Sequence, residues 1–446
     1  MKSLVKKLMS TMLVTAMGVS LVGCGSSDTG NSTPTPSQSA DAGTPATSSN
    51  DVVEIEFWYA WTDKIQENNI NLAEQFNATV GKEKGIKVTP VYQGTYDDVH
   101  QKLQASFIAK QPPALSIMEI ASTKLFAENG IIQSIEPFIE RDNLDVDDFY
   151  DGLVENCIVN GEYYGLPYLR STPILYVNST LLEEAGLDPA GPQTWDELAE
   201  FSRTINSELG INGLTMYSYD WVFESFFLQH GTSVLNADET ATNLNSEEGK
   251  EIFTFFQDLV NDGAVKVYAG ADSSKVMPDV MNQNTAMWFS STGDLTNNLA
   301  VAAENGFEIN TAFIPAAQTY GVPTGGGNIV MTKGLSPAEE EAAWEYMKWL
   351  TDTDQTVYAS IYTGYVTVRE SAIEDPQIQA LFDSTPQAQV ALNQLEDYGH
   401  GRPMHPRYAE VRKEFVNAMD AIWVNGGDVN TTLDEIAAKV NRILTE

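Results

Sequence analysis

The stretch VEIEFWYAWTDKIQENNINLAEQFNATVGKEKGIKVTPVY, residues 53–92, decides the fold of this chain. Apolar and polar side chains alternate from Val53 to Trp58, which predicts a first β-strand, and Ile86 to Tyr92 predicts a second. Between the two strands, one face of a helix is marked by Ile65, Asn69, Leu72, Ala73 and Phe76. A strand–helix–strand unit of this length predicts an α/β fold whose parallel sheet is covered by helices on both faces.

The same pattern continues along the chain. Tyr96 to Ala109 predicts a second helix and Leu115 to Ile120 a third strand. In parallel sheets of this kind, ligands bind beyond the carboxyl ends of the strands. Trp58, Tyr96 and Glu119 lie at or just after those ends, so we expect them close to a bound ligand.

A second α/β unit is predicted to follow the first. It opens with a strand from Pro173 to Val177, and Thr194-Trp195-Asp196-Glu197 is the capping box of a helix. The other predicted elements are a helix over 249–260, strands from Met287 to Ser290 and from Asn328 to Thr332, a helix around Ala342 to Leu350, and a last helix from Thr432 to Leu444. No internal repeat is visible, which argues against a solenoid or adhesin-like array.

Charge and composition exclude several classes of protein. The 446 residues carry 62 acidic against 25 basic side chains, a formal net charge of −37. Nucleic-acid binding and adsorption to anionic lipid both need clustered Lys and Arg, so we expect neither. The two cysteines, Cys24 and Cys157, are too few for a disulfide scaffold. We expect Cys157 to be a buried small hydrophobe rather than a nucleophile.

Residues 1–23 predict a secretory signal. Three lysines precede an apolar run, Leu8 to Val22, that is too short for a comfortable membrane span. The signal closes on Leu21-Val22-Gly23-Cys24, which is typical of a bacterial lipobox, so we expect Cys24 to be acylated. The alternative is an ordinary cleaved signal with an incidental cysteine.

The segment from 24 to 50 predicts an acylated cysteine followed by a flexible tether. It consists mainly of Gly, Ser, Thr, Pro and Ala and holds almost no large apolar side chain, so it cannot form a core. Removal of the three signal lysines takes the formal net charge from −37 to −40. The sequence therefore predicts a strongly acidic body held just outside a membrane.

Several further motifs occur in a fixed order. They are Glu56-Phe57-Trp58, Leu72-Ala73-Glu74-Gln75-Phe76-Asn77, Ser171-Thr172-Pro173-Ile174-Leu175-Tyr176-Val177-Asn178, Ala185-Gly186-Leu187-Asp188-Pro189 with Thr194-Trp195-Asp196-Glu197-Leu198, and Thr363-Gly364-Tyr365-Val366-Thr367-Val368. Together with the lipobox and tether, this set resembles the family 1 extracellular solute-binding proteins of ABC importers. The resemblance runs from about Val53 to Leu444. It implies a lipoprotein that delivers a small molecule to the membrane subunits of a permease.

Within that family, the chain is most similar to the glycerol-3-phosphate and glycerophosphodiester binders. The resemblance implies ligand contacts at Tyr96, Glu119, Ser171, Trp221, Ser291, Asp294, Gly325, Gly326, Tyr365 and Arg402. Trp221 is offset by one residue from the family pattern, and the alignment around Arg402 is loose. The family's Ser-Ser-Gly-Ser becomes Ser290-Ser291-Thr292-Gly293-Asp294 here, which puts a carboxylate where an anionic ligand would meet a hydroxyl.

The resemblance also implies two α/β lobes with the ligand in the cleft between them. Lobe one would comprise residues 51–170 and 328–373, and lobe two residues 171–327 and 374–446. Ligand contacts from both lobes would stabilise the closed state by hinge closure. We expect a monomer without cofactor or metal.

The residue types suit a polyol or sugar. Aromatic rings take the C–H face of such a ligand and a few polar groups take its rim. We expect Trp221 to be exposed to the cleft, whereas Trp58 and Trp288 are expected to pack in the core. Glu119 suits a diol as a two-oxygen acceptor, and the alternative is a capping or salt-bridging role.

Groups that could hold an anion are few. The glycines at 325–327 can present backbone N–H groups as a nest. His400, Arg402, His405 and Arg407 form a basic cluster in which an arginine could bind phosphate; the alternative is a surface loop that neutralises nearby acids.

Three functions remain open on the sequence alone. The first is capture of glycerol-3-phosphate or a related glycerophosphodiester for an ABC importer, and the second is the same role for a neutral mono- or oligosaccharide. The third is an extracellular glycosidase with paired carboxylates. The ordered match of Tyr96, Glu119, Ser171, Gly325 and Tyr365 favours the first, whereas the net charge and Asp294 favour a neutral sugar.

Overall fold

The computed structural model describes residues 52–445 and arranges them around two five-stranded sheets. The signal, Cys24 and the tether lie outside the described residues. The strands are β1 (Val53–Tyr59), β2 (Ile86–Tyr92), β3 (Leu115–Glu119), β4 (Ile158–Val159), β5 (Glu162–Tyr163), β6 (Gly165–Ser171), β7 (Pro173–Asn178), β8 (Asn212–Tyr217), β9 (Val265–Tyr268), β10 (Thr285–Ser291), β11 (Ile309–Ala312), β12 (Val322–Pro323), β13 (Gly325–Met331) and β14 (Gly399–His400).

Helices cover both sheets, and their bounds follow the predicted pattern closely at the N-terminal end. They are α1 (Asp63–Ala78), α2 (Val80–Lys84), α3 (Tyr96–Ile108), α4 (Thr123–Glu128), α5 (Glu136–Asp142), α6 (Asp151–Val154), α7 (Ser179–Glu184), α8 (Trp195–Leu209), α9 (Asp220–Leu228), α10 (Glu247–Asn261), α11 (Val276–Met281), α12 (Leu295–Asn305), α13 (Pro337–Leu350), α14 (Thr353–Thr363), α15 (Pro376–Ser384), α16 (Pro386–Tyr398), α17 (Tyr408–Met419) and α18 (Val429–Thr445).

The first sheet has the order β2-β1-β3-β13-β6. The strands β2 and β3 both pair parallel with β1, which confirms the parallel unit predicted from residues 53–92. The strand β13 pairs antiparallel with β3 and with β6, so it runs against the other four strands. Its register sets Gly327 opposite Glu119 and Gly325 opposite Ser171, which brings these residues to one edge of the sheet.

The second sheet has the order β11-β7-β10-β8-β9. Here β7 is the strand that runs against the others, since it pairs antiparallel with β10 and β11 while β10, β8 and β9 pair parallel. Trp288 lies opposite Thr215 in adjacent parallel strands. The residues that follow β8 and β10 therefore emerge side by side at the carboxyl edge of this sheet.

The chain crosses between the sheets at Thr172, the single residue between β6 and β7. The Thr172 N–H donates to Thr292 Oγ1 at 3.1 Å, and the Thr292 N–H donates to the Thr172 carbonyl at 3.0 Å. The expected lobe boundaries at 170/171 and 327/328 fall inside β6 and β13. Both of these strands belong to the first sheet.

Local sequence accounts for several helix starts. Thr194 and Glu197 form the predicted capping box of α8, and Ser336 with Glu339 forms another at the start of α13. Such a cap contributes about 1 kcal/mol. The apolar face of α1 is buried through Leu72, Ala73 and Phe76, as its spacing predicts.

Two predictions about buried residues are confirmed. Trp288 is 1% exposed and stacks on Tyr176 at 5.6 Å, so its ring belongs to the core. Cys157 is fully buried, and burial raises the pKa of its thiol to about 12, which makes it unreactive at neutral pH. Between residues 52 and 445 there is no helix both long and apolar enough to traverse a bilayer.

Candidate functional site

A buried cluster of charges joins the end of β3 to α9. Arg402, in the segment before α17, donates through Nη1 to Glu119 Oε1 at 3.0 Å, at the carboxyl end of β3. Its Nη2 donates to Asp220 Oδ2 at 3.0 Å and to Glu224 Oε1 at 2.5 Å, both on α9, and its Nε donates to Glu224 Oε2 at 3.0 Å. We call Glu119, Asp220, Glu224, Arg402 and Arg412 the charge cluster.

The carboxyl groups of the charge cluster differ in the direction of their pKa shifts. Burial alone would raise the pKa of Glu119 and of Asp220, but the two guanidinium groups hold both below their ordinary values. Burial prevails at Glu224 and raises its pKa despite Arg402. The carboxylates in turn hold the pKa of Arg402 well above its ordinary value, outweighing burial. Arg402 therefore stays charged and is committed to three acids.

Arg412 on α17 belongs to the same cluster but is more exposed than Arg402. Its Nε donates to Asp220 Oδ2 at 2.6 Å, while its Nη1 is 3.9 Å from Glu119 Oε2. The Arg412 side chain is 29% exposed, against 3% for Arg402. The guanidinium is thus anchored at Nε, and the side chain as a whole is partly exposed.

A third guanidinium lies behind the glycine strand. Arg170 is fully buried and donates to the Gly325 carbonyl at 2.8 Å, to Thr324 Oγ1 at 2.7 Å and to Asn328 Oδ1 at 2.9 Å. Burial lowers its pKa to about 10, a value at which it remains charged at neutral pH. Arg170 fixes the start of β13 and adds positive potential beneath it.

Trp221 does not meet the expectation of an exposed ring. It is 4% exposed, and its Nε1 donates to the Thr324 carbonyl at 3.1 Å. Its indole lies so close to Gly325 that a Cβ there would come within 2.4 Å of Cζ2. The ring is held down because Gly325 has no side chain, and Tyr219 covers it with ring centroids 5.6 Å apart.

One aromatic pair and a separate tyrosine lie near the first sheet. Trp61 is 38% exposed and meets the Tyr96 ring edge-on at 5.3 Å. Trp61 holds φ at 72°, a left-handed conformation that costs a bulky residue about 1–2 kcal/mol. Tyr365 lies against Gly293, where a Cβ would come within 3.0 Å of its Cζ. Gly293 therefore allows the Tyr365 ring to reach across to the end of β10.

The opposite wall comes from the ends of β8 and β10. Tyr217 and Tyr219 stack with centroids 5.0 Å apart. Asp294 is exposed and accepts a hydrogen bond from Ser290 Oγ at 2.5 Å, while Ser291 Oγ accepts one from the Gly293 N–H at 3.1 Å. The surrounding protein displaces water from the Asp294 carboxyl, and this desolvation raises its pKa.

These contacts bring the predicted site residues into one continuous region. Arg402 links to Glu119, the register of β13 links Glu119 to the glycines and to Ser171, and Trp221 packs on Gly325. Gly326 lies beside Arg170 in the same ladder at φ 86°, and Tyr365 closes the region against Gly293. The predicted basic cluster divides: Arg402 turns inward, whereas His400 is exposed and Arg407 pairs with Glu410 on the surface.

Sequence reasoning missed four residues of this region. Asp220 and Glu224 are four residues apart within an apolar helix, a spacing that puts both acids on one face and that was the available signal. Arg412 interrupts the buried face of α17, and Tyr219 sits within an aromatic run just before α9. Among residues 52–445, the His, Cys, Asp and Glu side chains form no group suited to hold a metal ion.

The sequence of this chain matches a known protein family and several named proteins. A family model described as bacterial extracellular solute-binding protein matches residues 71–386. The sn-glycerol-3-phosphate-binding periplasmic protein UgpB of Agrobacterium fabrum is 26% identical over 411 residues, which cover 86% of this chain and 91% of that protein.

Solved structures of similar fold include proteins associated by name with different ligands. UgpB from Mycobacterium tuberculosis in complex with glycerophosphocholine has a TM-score of 0.77 at 23% identity, covering 88% of this chain and 98% of its own. The cyclic alpha-maltosyl-1,6-maltose binding protein from Arthrobacter globiformis has a TM-score of 0.75 at 24% identity, covering 88% and 99%. At this identity the likeness shows the fold alone.

Proposed function

Because this chain belongs to the bacterial extracellular solute-binding proteins, we propose that its central region captures sn-glycerol-3-phosphate or a related glycerophosphodiester by hinge closure. The chain is the solute-binding component of an ABC uptake system, and its two sheets are the cores of the two lobes of that fold. Its homologues are binding proteins and not enzymes, so the glycosidase alternative is set aside.

The proposal for the phosphate contact rests on Arg412, whose guanidinium is anchored at Nε and whose side chain is 29% exposed. Its Nη groups can offer N–H donors to a phosphate. Arg402 cannot do the same while three carboxylates occupy it, so its role is to hold Glu119 and α9 in place. Charge-assisted hydrogen bonds contribute roughly 1.5–3 kcal/mol each, enough to outweigh the screened repulsion of an acidic protein.

The remaining groups suit the glycerol part. Glu119 keeps one oxygen toward Arg412 and is poised to accept ligand hydroxyl hydrogens, and Tyr96 and Tyr365 offer ring faces to its carbons. The Ser171 hydroxyl and the Gly325–Gly326 backbone lie along the same ladder. The proposed contacts come from both lobes, which is the condition for a ligand to favour closure.

A neutral saccharide is the second candidate. Two observations favour it: Arg402 is already neutralised by acids, and the exposed Asp294 suits a sugar hydroxyl as an acceptor. The likeness to the Arthrobacter maltosyl-maltose binder is compatible with it but concerns the fold. Relatives that match over most of the chain and are named for glycerol-3-phosphate favour the phosphate.

Membership of this family indicates a location outside the cytoplasm. We further propose that a lipid on Cys24 anchors the body, that it works as a monomer, and that permease subunits receive the ligand. Support for the anchor is the lipobox at the end of a complete signal.

Titration calorimetry with glycerol-3-phosphate, glycerophosphocholine and neutral saccharides tests the ligand. Arg412→Gln should weaken binding of glycerol-3-phosphate at least tenfold, as expected for one lost charge-assisted contact of about 1.5–3 kcal/mol. Arg407→Gln, on the surface, is the matched control and should change nothing. Binding of neutral saccharides alone, unaffected by Arg412→Gln, would refute the phosphate ligand and leave the transport role intact.

A further inference from the structure

Asp294 is a charged group that the capture of an anion does not explain. Among the ion pairs formed by residues 52–445, none includes Asp294, and its hydrogen-bond partner Ser290 is neutral. The side chain is exposed, so a partner from outside the protein can reach it. A lone carboxylate in a site for phosphate would weaken binding unless the ligand also carries a positive charge.

Three tyrosines lie near this carboxylate. The strands β8 and β10 are parallel neighbours, with Trp288 opposite Thr215, so the residues after them emerge together. Tyr217 ends β8 and stacks on Tyr219, which follows the strand, and Asp294 follows β10. Tyr365 reaches the same place from the other lobe, because its ring contacts Gly293 next to Asp294.

The electrostatic coupling agrees with this placement. Burial is the main cause of the raised pKa values of Tyr217, Tyr219 and Tyr365, and the Asp294 carboxylate adds to each of them. A carboxylate with aromatic rings nearby suits an alkylammonium group, because the ring quadrupoles and the carboxylate both attract a weakly hydrated cation.

The positive groups lie at the other end of the region. Arg412 lies beside Glu119, and Arg170 lies beneath the start of β13. Asp220 connects the two ends, since it accepts from Arg412 and directly follows Tyr219 in the chain. The site is therefore bipolar, with guanidinium groups on one side and a carboxylate near three tyrosines on the other.

We propose that Asp294, with Tyr217, Tyr219 and Tyr365, is a subsite for the ammonium group of a zwitterionic glycerophosphodiester such as glycerophosphocholine. This inference rests on the proposed function, since it assumes that Arg412 takes the phosphate. The subsite selects diesters with a cationic headgroup over glycerol-3-phosphate and over diesters with a neutral headgroup. It gives a use to the carboxylate that replaces the serine of the family pattern.

Calorimetry on the purified full-length protein tests the subsite with two probes of equal phosphate charge. Glycerophosphocholine carries a cationic headgroup, and glycerophosphoglycerol carries hydroxyls. The wild-type protein should bind the first about tenfold more tightly, in line with one cation–π and carboxylate contact. Asp294→Asn should remove that preference and leave the affinity for glycerophosphoglycerol within about twofold of wild type. Glu304→Gln, an exposed acid at the far end of α12, is the matched control and should keep the preference.

A second pair of variants separates the rings from the charge. Tyr219→Leu should lower affinity for glycerophosphocholine while Tyr219→Phe, which keeps the ring, should not. Equal affinity of wild type for both diesters, or an equal loss of both in Asp294→Asn, would overturn the subsite while the phosphate proposal stands. Binding of saccharides alone would overturn both proposals, and weaker saccharide binding in Asp294→Asn would assign the carboxylate to a sugar hydroxyl.

Discussion

Arg402 Nη1 donates to Glu119 Oε1 at 3.0 Å, although 283 residues separate the two in the chain. Through this contact, the segment after α16 is tied to the carboxyl end of β3. The same guanidinium holds Asp220 and Glu224, so one side chain connects the end of β3 with α9. Under the proposed function, ligand capture and the stability of the empty protein would depend on shared residues.

Arg402→Met should destabilise the empty protein strongly. It removes the partner that three buried carboxylates share and leaves Arg412 as the one remaining cation of the charge cluster, which costs about 3–5 kcal/mol. Chemical denaturation at pH 7 measures the loss. Arg407→Met, which touches the surface residue Glu410, is the control and should cost under about 1 kcal/mol. Equal stability of the Arg402 and Arg407 variants would show that the charge cluster contributes nothing.

The deficit of Arg402→Met should shrink as the pH falls. In the wild type, Glu119 and Asp220 have lowered pKa values, so their ionised form stabilises the fold above the unfolded pKa of about 4. That contribution is lost as the pH falls through the lowered folded values. Without Arg402, the carboxyls can protonate and the uncompensated charge disappears. Unfolding free energies of both proteins between pH 7.5 and pH 4 test this, and a constant difference would contradict it.

Trp221→Ala should lower the melting temperature of the empty protein. The ring is buried against Gly325, and truncation of a buried Trp costs about 3–5 kcal/mol. Trp221→Phe should cost less, because it keeps a ring and loses only the donor to the Thr324 carbonyl. If Trp221→Ala melts like wild type but binds ligand weakly, the indole acts as a ligand platform, as the sequence alone suggested.

Cys24→Ala should release the protein from the membrane. The lipobox predicts acylation at this cysteine, and the acyl chains of a lipoprotein provide a stable anchor. Fractionation of cells that express the variant should find the body in the soluble extracellular or periplasmic fraction. Retention in the membrane at the wild-type level would argue against the anchor.

Local sequence was sufficient to predict some of the elements that hold the site. The strand that carries Glu119 and the glycines at 325–327 that precede a strand follow from short patterns, and the register of β13 then brings them together. The strand that ends at Ser171 was not predicted, and Ser171 was named through the family resemblance alone. Parallel strands of this kind end at the same edge, so local prediction carries over into the site.

Side-chain partners were beyond the reach of those patterns. Arg402 was expected to meet phosphate, yet its carboxylates come from residues far away in sequence, and no local pattern specifies such a meeting. Trp221 was expected to be exposed because it lies among polar and aromatic residues. Its burial depends on the absence of a side chain at Gly325, which is more than a hundred residues away.

Because of Cys157, the part of the chain that the structure describes, residues 52–445, is convenient for site-specific labelling. Cys157 is the sole cysteine between residues 51 and 446, it is fully buried, and its raised pKa suppresses the thiolate that maleimides attack. A new cysteine on an exposed position of either lobe would then be the one thiol that reacts, without prior removal of Cys157. A dye placed in this way would convert the native scaffold into an optical sensor for its solute.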